Sequence, residues 1–128
     1  MTATSLPAPQ PNPETQAFWD ATARGEFLLR HCEACERAHW YPRALCPHCG
    51  SDKTTWRRAS GDATLYSFSI MRRVAEPYAI AYVTLAEGPT MLTSIVECRF
   101  EELHVGQRLR VAFAQAENGF AVPVFKPC

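Results

Sequence analysis

From Asp62 onward, apolar and polar side chains alternate with a period near two, the signature of strands with one face buried. The alternation over 65–70 predicts a first strand with Tyr66, Phe68 and Ile70 on one face and Leu65, Ser67 and Ser69 on the other. It returns over 79–85, 91–96, 108–113 and 120–125, with turn residues at Glu87-Gly88-Pro89 and Glu117-Asn118-Gly119. Between the third and fourth strands, 100–105 is too short for a long helix and ends at Gly106. Three meandering strands, an interruption and a closing hairpin predict a five-stranded closed barrel of the OB type, which leaves no exposed edge. An SH3-like barrel is the nearest alternative.

The first half reads differently. Pro7, Pro9, Pro11 and Pro13 punctuate a segment without apolar periodicity, so residues 1–13 are expected to be a disordered, extended tail. Asn12-Pro13-Glu14 is a helix start, and the helix over 14–25 is expected to run to about Arg24 with Gly25 as its stop. Phe18 and Trp19 are too much aromatic surface for so short a helix to bury against itself. They must dock on the rest of the chain or on a partner subunit. Short strands follow over 26–31, 38–42 and 54–58, with Trp40, Tyr41 and Trp56 as the expected small core of that region.

Four of the six cysteines lie there as two Cys-x-x-Cys pairs, Cys32/Cys35 and Cys46/Cys49, with ten residues between the pairs. Each pair can place two sulfurs on one side of a tight knuckle, and two knuckles make the soft tetrahedral ligand set of Zn²⁺. In the second knuckle, Pro47 fixes φ entering the turn and Gly50 permits the left-handed conformation leaving it. The first has neither aid. Paired disulfides and a redox dithiol are rival readings, and iron is a rival metal, since rubredoxin knuckles also read Cys-Pro-x-Cys-Gly. Four thiolates close the coordination sphere, so the site is expected to be structural, with one zinc per chain. The predicted fold is therefore mainly β: an N-terminal helix (14–25), a rubredoxin-like zinc ribbon (26–58) and an OB-fold barrel (59–128).

Charge narrows the function classes. The 128 residues carry 13 basic and 13 acidic side chains, which gives no electrostatic drive toward nucleic acid or an anionic membrane. Between Arg30 and Arg58 a net +3 faces the two negative charges of a Zn(Cys)₄ centre, and the two largely cancel. Residues 59–128 hold six basic and seven acidic side chains, whereas a nucleic-acid groove needs an excess of Lys and Arg. The N-terminus lacks a basic segment followed by an apolar core, and no run is long enough to span a bilayer. The expected compartment is cytoplasmic.

Taken in order, the Phe18-Trp19 helix, Gly25, Cys32-x-x-Cys35, Cys46-Pro47-x-Cys49-Gly50, Tyr66-Ser67, Pro77-Tyr78, Leu85 with Glu87-Gly88, Val105-Gly106 and Phe125-Lys126-Pro127 resemble the DUF35 proteins. The resemblance spans roughly 14–127. It implies a rubredoxin-like zinc ribbon joined to an OB-fold, in an accessory subunit paired with a thiolase-superfamily enzyme and helping to bind acyl-CoA. It carries over no catalytic residue, since the thiolase-type cysteine belongs to the partner. Cys98 is read as a barrel residue and Cys128 as an exposed terminal thiol. Arg72 and Arg73, where the first barrel strand runs out, are the candidate contact for CoA phosphates. Phe18 and Trp19 are the candidate partner contact. The competing function is a single-stranded nucleic-acid-binding module, a role in which OB-folds and zinc ribbons both occur.

Overall fold

The computed structural model describes residues 6–128. The expectation of a disordered tail falls in part on residues 1–5, which lie outside the described residues. Leu6 lies extended beside Ala116, its carbonyl accepting from the Glu117 amide at 3.0 Å.

The helix α1 spans Gln16–Ala23, two residues later than the sequence suggested. Asn12 and Thr15 exchange hydrogen bonds, each side-chain oxygen accepting from the other's amide at 3.0 Å, so a turn over 13–15 precedes the first helical residue. Gly25 is the stop, its amide donating to Thr22 while the Glu26 amide donates to Ala21, which satisfies two of the last carbonyls.

Three short strands follow, β1 (Leu28–Cys32), β2 (Ala38–His39) and β3 (Thr54–Arg58), in an antiparallel sheet of order β2-β1-β3. The strands β4 (Asp62–Met71), β5 (Tyr78–Leu85), β6 (Thr90–Ile95), β7 (Arg108–Gln115) and β8 (Ala121–Pro127) close a barrel in the order β4-β5-β6-β8-β7. β6 meets β8 in parallel at Ile95 and Phe125, and every other pairing is antiparallel. This is the OB order, and it sets aside the SH3-like alternative. The break between β6 and β7 holds a single 3₁₀ turn, Phe100–Glu102.

Two expectations about faces are corrected. The register of β4 against β5 shifts between Leu65 and Ser67, so Tyr66 is an extra residue in a bulge. Ala63 and Leu65 point inward before it, and Phe68 and Ile70 pack on the core after it. Tyr66, grouped with Phe68 and Ile70 by simple alternation, instead lies 64% exposed. Nor do Trp40, Tyr41 and Trp56 form a separate ribbon core. Tyr41 is exposed, Trp40 packs on Phe18 with ring centroids 5.1 Å apart, and Trp56 lies under the Arg30 guanidinium at 4.7 Å.

One apolar cluster instead runs through the helix, the ribbon sheet and the barrel. Phe18 contacts Phe27 at 6.2 Å between centroids, and Phe27 contacts Phe125 of β8 at 6.1 Å. Backbone bonds reinforce the junction, the Ala59 amide donating to Phe27 and the Val111 amide to Gly61, each at 2.8 Å. Gly61 is needed there. At φ +87° it lies so close to β7 that an added Cβ would come 2.5 Å from Val111 Cγ1.

Candidate metal centre

The two knuckles are built alike. In the first, the Cys32 amide donates to the Arg37 carbonyl at 2.9 Å and the Glu36 amide to the Cys32 carbonyl at 2.8 Å. In the second, the Cys46 amide donates to Ser51 and the Gly50 amide to Cys46 at the same two distances. Both need a left-handed residue four positions after the first cysteine. Gly50 fills that place at φ +81° and Glu36 fills it at φ +58°, so the first knuckle adopts the conformation without glycine.

Each knuckle also directs an amide at a sulfur, Cys35 at Cys32 Sγ (3.5 Å) and His48 at Cys46 Sγ (3.3 Å). The four sulfurs lie within 4.8 Å of one another. Cys32 and Cys49 are 3.6 Å apart, Cys35 and Cys46 3.8 Å, close to the roughly 3.8 Å edge of a tetrahedron with metal–sulfur bonds of about 2.3 Å. A disulfide needs about 2.05 Å, and all four are free thiols. Taken as thiols they titrate apart. The amide of Cys35 holds Cys32 down to about 7, while burial pushes Cys35 up to about 12. A tetrahedral cation fits this donor set, because it replaces the protons and holds all four sulfurs as thiolates.

The loop between the knuckles is held by residues whose part in the site the sequence did not reveal. Glu14, just before α1, accepts from the Ala44 amide at 2.7 Å. Thr54 Oγ1 donates to the Ala44 carbonyl at 2.7 Å, and the Arg30 guanidinium donates to Thr54. His39 is 2% exposed, and its imidazole packs edge-on to His48 at 6.5 Å. Burial holds its pKa below the usual value.

The other candidates are scattered. Phe18 is fully buried inside this chain against Trp19, Trp40 and Phe27, so of its two possible destinations it takes the chain itself. Trp19 is half-buried, with an edge-on contact to Phe120 at 6.2 Å. Arg72 and Arg73 are exposed in the barrel loop after β4. Cys98 is half-buried, its thiol pushed up by burial, and Cys128 is exposed.

Two family models match consecutive stretches of the chain. Residues 19–55 match the rubredoxin-like zinc ribbon domain of ChsH2, and residues 56–114 match its C-terminal OB-fold domain. The chain belongs to the DUF35 family. It is 28% identical to a DUF35 domain-containing scaffold protein of Methanocaldococcus jannaschii, over 68% of this chain and 67% of that one. It is also 26% identical, over 94% of its length, to a protein of Thermomonospora curvata named "Probable enoyl-CoA hydratase alpha subunit", but spans only 40% of that relative. Among solved structures it superposes on a chain of the "Ltp2-ChsH2(DUF35) aldolase" with a TM-score of 0.83 and 26% identity, covering 94% of this chain and 98% of that one. A DUF35 structure from Sulfolobus solfataricus, at 17% identity and a TM-score of 0.67, shares the fold.

Proposed function

We propose that this chain is a noncatalytic, zinc-containing accessory subunit that binds a thiolase-superfamily enzyme and helps position an acyl-CoA. The observation that carries the reading is the near end-to-end match to a chain of a DUF35-containing aldolase, joined to a metal site whose four positions are all taken by cysteine. A tetrahedral site with four protein ligands leaves no coordination position for substrate, so its metal acts on the fold. Zinc suits the thiolate set and would be held by Cys32, Cys35, Cys46 and Cys49, fixing the ribbon on the barrel through Phe27. The scaffold names of the archaeal relatives support the accessory role, and the enoyl-CoA name of the Thermomonospora relative supports a CoA thioester as the shared substrate class.

Arg72 and Arg73 are the residues of this chain proposed to meet the CoA phosphates, since exposed guanidinium groups make charge-assisted contacts to phosphate. Trp19 is the proposed helix contribution to a partner contact. The test is to purify the chain with the enzyme that accompanies it in the native cell and to assay that enzyme's acyl-CoA turnover with and without the chain, then with Arg72→Ala and Arg73→Ala. Turnover should fall without the chain, and several-fold with the arginine changes. Unchanged turnover in its absence removes the accessory role; an effect of its absence but none of the substitutions discards only the phosphate contact. Elemental analysis should find one zinc per chain, lost in Cys46→Ser, and a visible thiolate-to-metal absorption band would identify iron instead.

A further inference from the structure

The outer wall of the barrel formed by β4, β5 and β6 is the part of this molecule that a soluble surface does not explain. Ten large hydrophobic side chains are exposed among the described residues, and six of them, Tyr66, Met71, Tyr78, Ile80, Tyr82 and Leu92, lie on these three strands. The register makes them neighbours: Met71 is opposite Tyr78, Ser69 opposite Ile80, and Ser67 opposite Tyr82, which in turn faces Leu92. Directly opposed residues on one face of a sheet lie within about 5 Å of each other. The bulge at Tyr66 adds that ring to the same wall. No charged residue occurs in 65–71, in β5 or in β6. Elsewhere the barrel wears an ordinary surface, such as Arg110 paired with Asp62 at 3.7 Å.

From this wall we infer the docking face for the partner enzyme, an uncharged apolar surface on that enzyme being the occupant. The inference rests on the accessory-subunit reading and names the surface that carries it out. Area supports it. An aromatic side chain offers about 150–250 Å², and six large side chains left roughly half exposed amount to about 500 Å² of apolar surface. A standard interface takes about 800 Å² from each partner, a little over half of it nonpolar, so the wall matches the apolar share of one complete interface. Charge supports it too. A carboxylate or ammonium group on the partner would be buried here with no counter-ion, so the complementary surface must also be uncharged. Arg72, Arg73 and Glu76 stand in the β4–β5 loop at the end of the wall, as a polar rim stands beside an apolar centre. On the outer face of the wall, an open hollow of about 170 Å³ lined by Phe68, Ile80, Tyr82 and Leu92 can receive one protruding apolar side chain. The three tyrosines could stack on bases, but the cations beside the wall, Arg72 and Arg73 at one end, are too few to track a phosphate backbone.

The experiment titrates the purified partner enzyme with the full chain by calorimetry. The Tyr82→Arg/Leu92→Glu double variant changes two exposed side chains, and Arg108→Ala/Arg110→Ala on β7 is the control. Circular dichroism and metal content confirm that both variants fold. The wall variant should weaken binding at least 100-fold and the control less than 3-fold. If the parent chain binds and the wall variant binds equally well, the docking face is overturned while the accessory role stands. If the parent binds no thiolase-superfamily enzyme, the accessory role fails and the docking face fails with it. A dimer of the isolated chain that the wall variant dissolves in sedimentation would overturn the inference in favour of self-association. An oligothymidine strand bound by the parent and released by Tyr66→Ala/Tyr82→Ala would overturn it in favour of nucleic acid.

Discussion

Phe18→Ala measures whether the helix, the ribbon and the barrel are one folding unit. The ring has no solvent exposure and makes edge contacts to Trp19, Phe27 and Trp40, with centroids 4.9, 6.2 and 5.1 Å away. Removing about 200 Å² of aromatic surface at roughly 25 cal/mol per Å² gives about 5 kcal/mol as an upper bound. Measured Phe→Ala losses of about 3–5 kcal/mol include the cavity, so about 4 kcal/mol is expected. That is a large part of the 5–15 kcal/mol typical of a domain. With a urea m-value of roughly 1.5 kcal/mol per M, the midpoint should fall by about 2.5 M. Two probes report different parts: Trp19, Trp40 and Trp56 all precede the barrel, whereas far-UV circular dichroism is dominated by its five strands. Because Phe18 reaches Phe125 through Phe27, both transitions should shift together. A loss below about 1.5 kcal/mol, or fluorescence moving while circular dichroism stays, would refute the single unit.

Glu36→Gly should stabilise the chain by about 0.5–1 kcal/mol in urea, because relief of a left-handed non-glycine residue exceeds the added chain entropy. Gly61→Ala should cost at least about 2 kcal/mol by the same measurement, since φ is positive and the new methyl would strike the stiff Val111 side chain. The pH dependence of stability should carry a term from His39, whose folded pKa lies below the usual 6.5 because the ring is buried. Between the folded value and 6.5 the unfolded chain binds more protons, so this stability is present above 6.5 and is lost as pH falls through the folded pKa, with a slope of at most about 1.4 kcal/mol per pH unit. His39→Leu should flatten the parent's slope below pH 6.5, and equal slopes in the two proteins would contradict the buried neutral ring.

Much of this architecture was legible because it rests on short-range rules. Period-two alternation located five strands, Glu87-Gly88-Pro89 and Glu117-Asn118-Gly119 located two turns, and two Cys-x-x-Cys pairs located the sulfur cluster. What escaped was decided by tertiary contacts. An extra residue at Tyr66 is invisible to a count of alternating positions, because a bulge is a property of the pairing and not of one strand. Trp40 looked like ribbon core because it is next to ribbon residues in sequence; its ring is shared between Phe27 at the start of the ribbon and Phe18, which arrives from the helix. Glu14 looked only like part of a helix start, and its carboxylate is spent on the Ala44 amide.

The charge balance around the sulfurs teaches the same lesson more sharply. The sequence places six basic side chains between Arg30 and Arg58, enough to offset a doubly negative metal–thiolate centre. In the fold, Arg30 lies over Trp56 and donates to Thr54, and Arg57 pairs with Glu33 at 3.3 Å. These two guanidinium groups are engaged in tying β1 and the residue that follows it to β3. The groups that do reach sulfur are backbone amides, among them those of Cys35 and His48, held in place by the knuckle turns. Such donors come from backbone conformation, so composition cannot reveal them, and they survive any substitution that keeps the turn. Neutralising Arg30 or Arg57 should therefore disturb the sheet before it disturbs the metal site, whereas a change that opens a knuckle turn removes the sulfur's hydrogen bond and its geometry together.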